Sequence, residues 1–469
     1  MSHPPHLPST GPDYFDAMDL DGLRRDIPIG AEFDRIFRGM SRDALRARQE
    51  VLFARSLVRA WKTPFYRRLW GAAGIEPGDI GGLDDLAKLP TYSKSDLMAS
   101  VEAHPPIGDF HGQDGYPPGM APPLILQTTS GTTGKPQPLI YGPKSREAQN
   151  RLLARLYLLQ GMRRADVVHS VYGFGMVNGG HYVRETITHW IGARLLTAGT
   201  GAETRSAQQV ELMAGFGATV IVGFGDYIKR LSEVAREAGL TPGEDIRIRM
   251  ISGHMGAETP QTMSSAWGGA EIYDWYGVGD TGAIAGMGPD RDGMHVMEDA
   301  QLVELLDVET GAPVPEGEMG DMVCTCLYKD DLFPIIRFNT HDVSRMMPGA
   351  NPLDLPFRRM AGFLGRSDNM VKLRGINIYP QGIGALLSAA FNGLTGEFFC
   401  RVARKDGREE MRVIVEAAAQ DGDLRAAMAE TLKTRLGVQI EVEFVPPGGT
   451  AALNQIESRK MPILLIDEL

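Results

Sequence analysis

Apolar positions near the start of the chain predict a long helix. Between residues 42 and 73 they recur at roughly helical spacing, and Pro64 interrupts the pattern because its ring cannot continue a helix. The residues that set this spacing are Leu45, Val51, Leu52, Leu57, Val58 and Trp61. Residues 1–25 lack such a pattern and are rich in Pro, Asp and Gly, which predicts a mobile or wrapping arm.

Short apolar runs alternate with helical patterns from residue 123 to about residue 250. The runs 124–126, 167–171, 193–196 and 219–222 are candidate strands. Two helical patterns lie between them, 148–159 and 226–239, and the second begins at Asp226 as a cap and ends at Gly239. Alternation of strand and helix is typical of a largely parallel α/β sheet.

The pattern changes twice after residue 300. Segments 301–306, 320–326 and 335–338 predict strands separated by turns, and therefore an antiparallel, β-rich subdomain. Beyond residue 368, a strand at 411–415, a helix at 423–436 and an alternating run at 438–444 predict a small α+β domain. The predicted fold class is α/β, with a large N-terminal domain of α/β sheets, a β-rich subdomain and this small C-terminal domain.

Composition and charge exclude several classes of protein. The 48 Lys and Arg against 59 Asp and Glu give a net charge of −11, with no basic stripe of the kind that meets nucleic-acid phosphates. The N-terminal segment has neither a basic start nor an apolar core, and no apolar run approaches the ~20 residues that cross a bilayer. We therefore expect a cytoplasmic protein without a nucleic-acid or membrane partner.

The three cysteines predict buried thiols rather than a metal site. Cys324 and Cys326 form a C-x-C within an apolar run, and Cys400 stands alone. No second Cys or Cys/His pair lies nearby in the sequence, and an odd, small number suits a reducing compartment.

The strongest chemical motif is Thr-Thr-Ser-Gly-Thr-Thr-Gly-Lys-Pro at residues 128–136, directly after a candidate strand. Its glycines leave backbone N–H groups free, its hydroxyls add donors, and Lys135 adds positive charge, so the segment suits an anion. It is not a GxxxxGK[ST] loop, because two residues separate Gly131 from Gly134 and Pro136 follows the lysine. Taken alone, a Gly/Thr-rich surface turn is the alternative.

Residues 130–136 resemble the phosphate loop of the adenylate-forming superfamily, which includes acyl-CoA ligases, luciferases and adenylation domains of nonribosomal peptide synthetases. Further segments follow in that superfamily's order: 256–258, 273–277, 337–342, 365–380 and Lys460. The closest resemblance is to the phenylacetate–CoA ligase family, through 61–66, 82–90, 171–175 and 310–315. It covers the chain from about residue 50 to the C-terminus.

This resemblance implies an ATP-dependent ligase that converts a small aromatic carboxylic acid to its acyl-adenylate and then to its coenzyme A thioester. It implies Mg²⁺ as a further cofactor and a homodimer as the assembly. Two alternatives stay open: delivery of the acyl group to a carrier-protein thiol or an amine, and a degenerate member that binds nucleotide without turnover.

The resemblance also assigns residues to the nucleotide. Lys135 and the loop amides would hold the leaving phosphates, Asp342 would bind both ribose hydroxyls with Arg366 close by, and Tyr276 would stack on adenine unless it is a core aromatic residue. The full predicted ATP and AMP set, besides Lys135, is Ser130, Gly131, Thr132, Thr133, Gly134, Gly256, Ala257, Glu258, Asp274, Trp275, Tyr276, Gly277, Asp280, Thr281, Asp342 and Arg366.

The resemblance further implies a mobile C-terminal domain, which lets two half-reactions share one site. Lys460 would bridge the carboxylate and the α-phosphate in the first step. Rotation about a hinge at Asp368 would then bring in the loop around Lys372 and Gly375 for thioester formation. The implied domains are an arm at 1–45, a large domain at 46–367 and a small domain at 369–469.

The resemblance implies an acid pocket at the positions where relatives line an aromatic pocket. Its predicted residues are Tyr172, Phe174, Gly180, His181 and Phe224. An apolar slot with few polar groups is the general form of such sites. His181 is either a polar contact to a ring substituent or a packed residue.

The sequence departs from the superfamily at the metal position. Asp280 stands where a Glu usually supports magnesium, and Gly279 removes the preceding hydroxyl. Asp280 would hold Mg²⁺ through a water with Thr281 donating to phosphate, or else the first half-reaction is impaired. Segment 347–363 contains no cysteine, so no zinc is expected.

Overall fold

The computed structural model describes residues 11–129, 135–255, 258–373, 376–391, 394–405, 408–418, 421–450 and 465–467. Its helices are α1 Leu20–Asp26, α2 Gly30–Phe37, α3 Arg42–Lys62, α4 Pro64–Ala72, α5 Lys94–Ala103, α6 Pro143–Leu159, α7 Asn178–Glu185, α8 Ser206–Phe216, α9 Gly225–Glu237, α10 Pro260–Ala266, α11 Gln381–Ala390 and α12 Gly422–Leu436.

The first strands are β1 Tyr92–Ser93, β2 Ile125–Thr128, β3 Pro138–Tyr141, β4 Val167–Ser170, β5 Arg194–Thr197, β6 Val220–Phe224, β7 Met250–His254, β8 Glu271–Tyr273, β9 Trp275–Val278, β10 Gly282–Met287 and β11 Met294–Val296. They are followed by β12 Gln301–Leu306, β13 Met319–Cys326, β14 Phe338–Met347, β15 Arg359–Met360, β16 Gly365–Arg366, β17 Val371–Leu373, β18 Ile376–Ile378, β19 Leu394–Lys405, β20 Arg408–Ala417, β21 Glu441–Val445 and β22 Leu465–Asp467.

The predicted helix at 42–73 is two helices. The Ser41 hydroxyl caps α3 by accepting from the Ala44 N–H at 3.2 Å. Pro64 lies in the first turn of α4, where its missing N–H costs nothing, so it divides the pattern as predicted.

The described part of the predicted arm, from residue 11 onward, includes two helices that pack against α6. Helices α1 and α2 lie along α6, whose arginines bind the chain between them: Arg151 Nε donates to the Ile27 carbonyl at 2.6 Å and Arg155 Nε to the Pro28 carbonyl at 3.0 Å. Because α6 meets both the arm and β10, it is buried along most of its length. Its buried charged residues are therefore held by backbone carbonyls and by partners such as Asp299.

A parallel sheet in the order β5–β4–β6–β7–β8 confirms the predicted α/β region. Two details of the prediction were wrong. The candidate strand at 124–126 is part of β2, which pairs antiparallel with β3 outside this sheet. Asp226 does not cap α9, because the cap position is Phe224 and carries no side-chain hydrogen bond; Gly239, with φ +77°, does follow the helix end.

The β-rich part is a nine-stranded sheet in the order β12–β13–β14–β15–β11–β10–β9, with β1 and β16 both pairing with β14. The predicted strand at 335–338 was wrong, because only Phe338 belongs to a strand. Phe333 and Arg337 have positive φ values of 44° and 59°, so the chain turns there before β14 begins.

The C-terminal region has its own sheet and core. Strands β21, β20, β19 and β22 form one sheet, β17 and β18 form a separate hairpin, and α11 and α12 pack with them around Cys400, Val413 and Leu432. The chain leaves the large sheet after β16, and the 3₁₀ turn Ser367–Asn369 separates the two regions. All three cysteines are buried, as predicted. Within the described residues no helix is long and apolar enough to cross a membrane.

Candidate active site

Two predicted pocket residues meet where the strand order of the parallel sheet reverses. Because the chain goes from β4 outward to β5 and then returns to β6 on the other side of β4, the carboxyl ends of β4 and β6 flank this point. Tyr172 follows β4 and Phe224 ends β6, and their rings lie 5.2 Å apart in an edge-to-face contact. Ligands of open α/β sheets bind at this edge.

The aromatic contact continues along the sheet edge. The His254 ring lies 5.6 Å from that of Phe224 and 4.8 Å from that of Trp275. Together, Tyr172, Phe224, His254 and Trp275 form what we name the aromatic row. His254 was missed by the sequence analysis, because its place depends on the direct pairing of Phe224 with His254 between β6 and β7.

The other three predicted pocket residues lie together beside the start of α7. The rings of Phe174 and His181 are 5.4 Å apart, and His181 Nε2 is 2.8 Å from the Gly175 carbonyl oxygen. This hydrogen bond ties the partly exposed ring of His181, in the first turn of α7, to the loop that precedes the helix. Gly180 donates to the Gly173 carbonyl, and a Cβ at position 180 would lie 2.5 Å from that oxygen.

Asp274, one of the predicted nucleotide residues, lies next to His254 of the aromatic row. Asp274 Oδ1 lies 3.7 Å from His254 Nδ1 and accepts from the Trp275 N–H at 2.7 Å. Burial raises the pKa of Asp274 to about 7 and lowers the pKa of His254 to about 4. At neutral pH the imidazole is therefore uncharged.

The predicted ribose carboxylate has two polar partners. Asp342 Oδ2 accepts from the Tyr276 hydroxyl at 2.7 Å, and Oδ1 accepts from Arg366 Nη1 at 2.7 Å. Burial raises the pKa of Asp342, and the charge of Arg366 opposes that rise. The Tyr276 ring packs in the core of the β-rich sheet while its hydroxyl fixes Asp342. The sequence analysis left stacking on adenine and a core position as the alternatives for Tyr276, and the burial of its ring supports the core position.

Asp280 lies in a loop whose backbone carbonyls accept hydrogen bonds from buried side chains. The Gly279 carbonyl accepts from the Tyr141 hydroxyl at 2.7 Å, and the Thr281 carbonyl accepts from Gln301 Nε2 at 2.8 Å. The Asp280 carboxylate accepts from Gln137 Nε2 at 2.8 Å and is 5% exposed. Burial raises its pKa to about 6.

The placement of Thr281 does not support a phosphate contact. Its side chain is fully buried, and its hydroxyl donates to the Gly282 carbonyl at 3.2 Å. Because β9 and β10 run close together at this turn, the side chain points into the protein. The close approach of β9 and β10 also explains Gly277. A Cβ at that position would lie 2.3 Å from the Gly282 carbonyl oxygen, so only glycine fits there.

One carboxylate suits a magnesium ion that arrives with a nucleotide. Mg²⁺ keeps several waters and binds through one or two carboxylates plus phosphate oxygens. Asp280, two residues after the end of β9, would be one such oxygen ligand. Among the described residues no group of three or more His, Cys, Asp or Glu side chains is arranged to hold a metal by itself.

The remaining predicted residues divide into two groups. Lys135 is exposed with Nζ 3.6 Å from Glu102 Oε1, Glu258 pairs with Lys229 at 2.5 Å, and Lys372 lies in β17. The others lie outside the described residues: Ser130, Gly131, Thr132, Thr133, Gly134, Gly256, Ala257, Gly375 and Lys460.

Comparison with known proteins agrees with this geometry. Residues 82–325 match the family described as AMP-binding enzyme, and residues 375–460 match the AMP-binding enzyme C-terminal domain. A phenylacetate-coenzyme A ligase of Thermus thermophilus is 29% identical over 446 residues, which cover 87% of this chain and 94% of that protein.

A solved structure is similar over almost the whole chain. It is 2-hydroxyisobutyryl-CoA ligase in the postadenylation state in complex with 2-HIB-AMP, with a TM-score of 0.74 and 26% identity over 95% of this chain and 91% of that chain. The same ligase in complex with 2-HIB-AMP and CoA in the thioesterification state gives a TM-score of 0.62 and 27% identity over 97% of this chain and 94% of that chain.

Proposed function

The chain belongs to the AMP-binding enzyme family, and from that premise we propose that it is an ATP-dependent acid–CoA ligase acting on a small aromatic carboxylic acid. Ligation to coenzyme A through an acyl-adenylate is supported by relatives named as phenylacetate-coenzyme A ligases and by the similar CoA ligase with a bound acyl-adenylate. The aromatic class of the acid rests on one observation, the aromatic row at the carboxyl edge of the parallel sheet.

In the first half-reaction, a carboxylate oxygen of the acid attacks the α-phosphorus of ATP. The bond from that phosphorus to the bridging oxygen breaks, and pyrophosphate leaves. Asp342 would accept both ribose hydroxyls, with Tyr276 and Arg366 fixing its carboxylate. Lys135 and Lys460 would offset the charge of the phosphates and of the two anions as they meet.

Asp280 would hold a magnesium ion, which when bound would supply charge neutralisation of the departing pyrophosphate. The chain itself fixes the backbone at Asp280, because Tyr141 donates to the Gly279 carbonyl and Gln149 donates to the Asp280 carbonyl. A fixed carboxylate requires no reorganisation during the reaction.

In the second half-reaction, the coenzyme A thiolate attacks the acyl carbon and AMP leaves as its carboxyl–phosphate bond breaks. We place the hinge at Asp368, between a large domain at 46–367 and a small domain at 369–469. The similar CoA ligase supports a rearrangement between steps, because its postadenylation and thioesterification structures match this chain with different TM-scores. Lys372 and Gly375 would approach the thioester-forming site after rotation.

The test is a substrate panel with two readouts. Purified chain, ATP and Mg²⁺ are incubated with phenylacetate, a hydroxybenzoate, an indole acid and 2-hydroxyisobutyrate, each with and without coenzyme A. We expect pyrophosphate release and an acyl-CoA mass for at least one aromatic acid, and for no aliphatic acid at comparable rate.

Each other outcome changes a different part of the proposal. Turnover of 2-hydroxyisobutyrate alone would support the ligase activity but contradict the proposed aromatic substrate. Acid-dependent pyrophosphate release without a thioester would indicate a carrier-protein thiol or an amine as acceptor. Binding of ATP without release for any acid would reject the enzyme.

A further inference from the structure

Lys329 is fully buried, and among the described residues no carboxylate lies close enough to form an ion pair with it, although the carboxylates of Asp280 and Asp331 act on its charge from farther away. Its ammonium nitrogen lies 3.2 Å from the Ile140 carbonyl oxygen and 3.5 Å from that of Asp280. The rings of Tyr141 and Phe333 lie 5.2 and 4.9 Å away. The equally buried Arg155, by contrast, has Asp299 at 2.7 Å.

An ammonium in this position carries a cost in stability. A buried charge loses its hydration, and carbonyl and aromatic contacts offset that loss less completely than a carboxylate does. A leucine or methionine of similar length would fill the same space at lower cost. A buried charge that costs stability points to a task in function rather than in folding.

The contacts of Lys329 show what it holds. Three successive carbonyls, those of Gly279, Asp280 and Thr281, accept from five buried side chains that converge from distant parts of the sequence. The donors are Tyr141 and Gln149 from the β3–α6 region, Gln301 from β12, and Tyr328 and Lys329 after β13. We name these five residues the loop cradle. Lys329 is its one charged member.

We propose that Lys329 is a positioning residue for the adenylation half-reaction, fixing the Asp280 backbone and placing an ammonium group next to its carbonyl. This inference rests on the proposed function. Asp280 is shorter than the Glu usual at this position, so its carboxylate depends more on where its backbone is held. Under the proposed function, Asp280 would hold the magnesium ion that accompanies the phosphates and would not contact the thiol, so we expect Lys329 to act on the first half-reaction alone.

The test replaces the ammonium with an apolar group of similar length, Lys329→Met. Adenylation is followed by acid-dependent ATP–pyrophosphate exchange, and thioester formation by supplying the acyl-adenylate with coenzyme A. We expect exchange to fall about tenfold or more while thioester formation stays within about twofold of wild type. The magnesium concentration for half-maximal exchange should rise.

Two measurements separate positioning from a structural role. The thermal midpoint of Lys329→Met should stay within a few degrees of wild type, since the lost contacts are offset by removal of a buried charge. ATP affinity measured by calorimetry should be unchanged in EDTA and weaker than wild type in Mg²⁺. A structural role would instead lower the midpoint and slow both half-reactions together.

Lys144→Met is the matched control. Lys144 pairs with Asp330 at 2.5 Å, one residue from Lys329, but does not contact the loop cradle. We expect that variant to keep wild-type exchange. Tyr141→Phe, which removes the bond to the Gly279 carbonyl, is a second variant of the loop cradle and should slow exchange selectively as well.

Several results would overturn the inference. Wild-type exchange in Lys329→Met, equal loss in both half-reactions, or selective loss in Lys144→Met would each do so. If Lys329→Met does not fold, wild-type exchange in Tyr141→Phe would overturn it. An inactive wild-type chain would remove the proposed function itself, and that result is distinct from an active wild type with an unaffected variant.

Discussion

Arg366 and Asp342 form an ion pair at 2.7 Å from directly opposed positions on β16 and β14. The same guanidinium binds both oxygens of Asp368, at 2.8 and 2.6 Å. Arg366 therefore connects the predicted ribose carboxylate to the predicted hinge without an intervening residue. A change in the charge or position of Asp342 or Asp368 therefore affects the other carboxylate through the planar guanidinium group.

The first prediction concerns this connection. Lysine at position 366 keeps the charge but cannot bind two carboxylates as a fork, so Arg366→Lys should weaken AMP binding by about fivefold to tenfold. It should also lower the free energy of unfolding by about 1–3 kcal/mol, less than for a fully buried pair because Arg366 is one-third exposed. Calorimetry with AMP and urea denaturation measure the two effects.

Arg412→Lys is the control for that experiment. Arg412 also pairs with two acids, Glu441 and Glu443, but all three side chains are about half exposed. Exposed pairs contribute little, so neither AMP affinity nor stability should change measurably. Unaltered AMP binding in Arg366→Lys would contradict a link between Arg366 and the nucleotide.

The second prediction is a pH dependence of stability. The pKa of Asp274 is about 7 in the folded chain, against an ordinary value near 3.9 in the unfolded chain. The folded state therefore keeps a proton between those values that the unfolded state loses, so this group's contribution to stability falls as pH rises from about 4 to 7. His254 acts oppositely, because its pKa of about 4 makes stability fall as pH drops below about 6.5.

Asp274→Asn isolates the carboxyl, because an amide cannot become charged. The free energy of unfolding of the variant relative to wild type should rise by about 1–2 kcal/mol between pH 5 and pH 8, a value discounted because Asp274 is about one-third exposed. Urea denaturation at the two pH values measures it. Parallel pH profiles for the two proteins would show that Asp274 does not titrate in this range.

The third prediction tests the aromatic row. Phe224 is half exposed at the sheet edge and touches Tyr172 and His254, so Phe224→Ala removes a wall available to a ligand. We expect kcat/KM for the aromatic acid to fall by about tenfold to a hundredfold. The control is Phe216→Ala, at an exposed residue on α8, which should leave kcat/KM unchanged. Equal kcat/KM values for the two variants would show that the acid does not bind at this edge of the sheet.

Tyr172 and Phe224 show what a sequence can supply: each follows a run that predicts a strand, and β4 and β6 are indeed parallel neighbours. His254 shows what it cannot, because the register of β6 against β7 is a tertiary property. The loop cradle was missed for the same reason, since Gln149 and Lys329 meet only through folding. Apolar periodicity also misplaced the strand at 335–338, because it does not reveal the left-handed backbone of Arg337.

The last prediction concerns the proposed rotation of the C-terminal domain. Lys460 lies outside the described residues, and its proposed task is to bridge the acid and the α-phosphate in the first half-reaction only. Lys460→Ala should therefore lose most ATP–pyrophosphate exchange, by about a hundredfold or more, yet convert supplied acyl-adenylate and coenzyme A to thioester at nearly the wild-type rate. Lys433→Ala, at an exposed residue of α12 paired with Glu430, is the control and should leave both rates unchanged. Equal loss of both half-reactions in Lys460→Ala would be incompatible with a lysine that leaves the site between steps, and the rotation about Asp368 would then have no support in this chain.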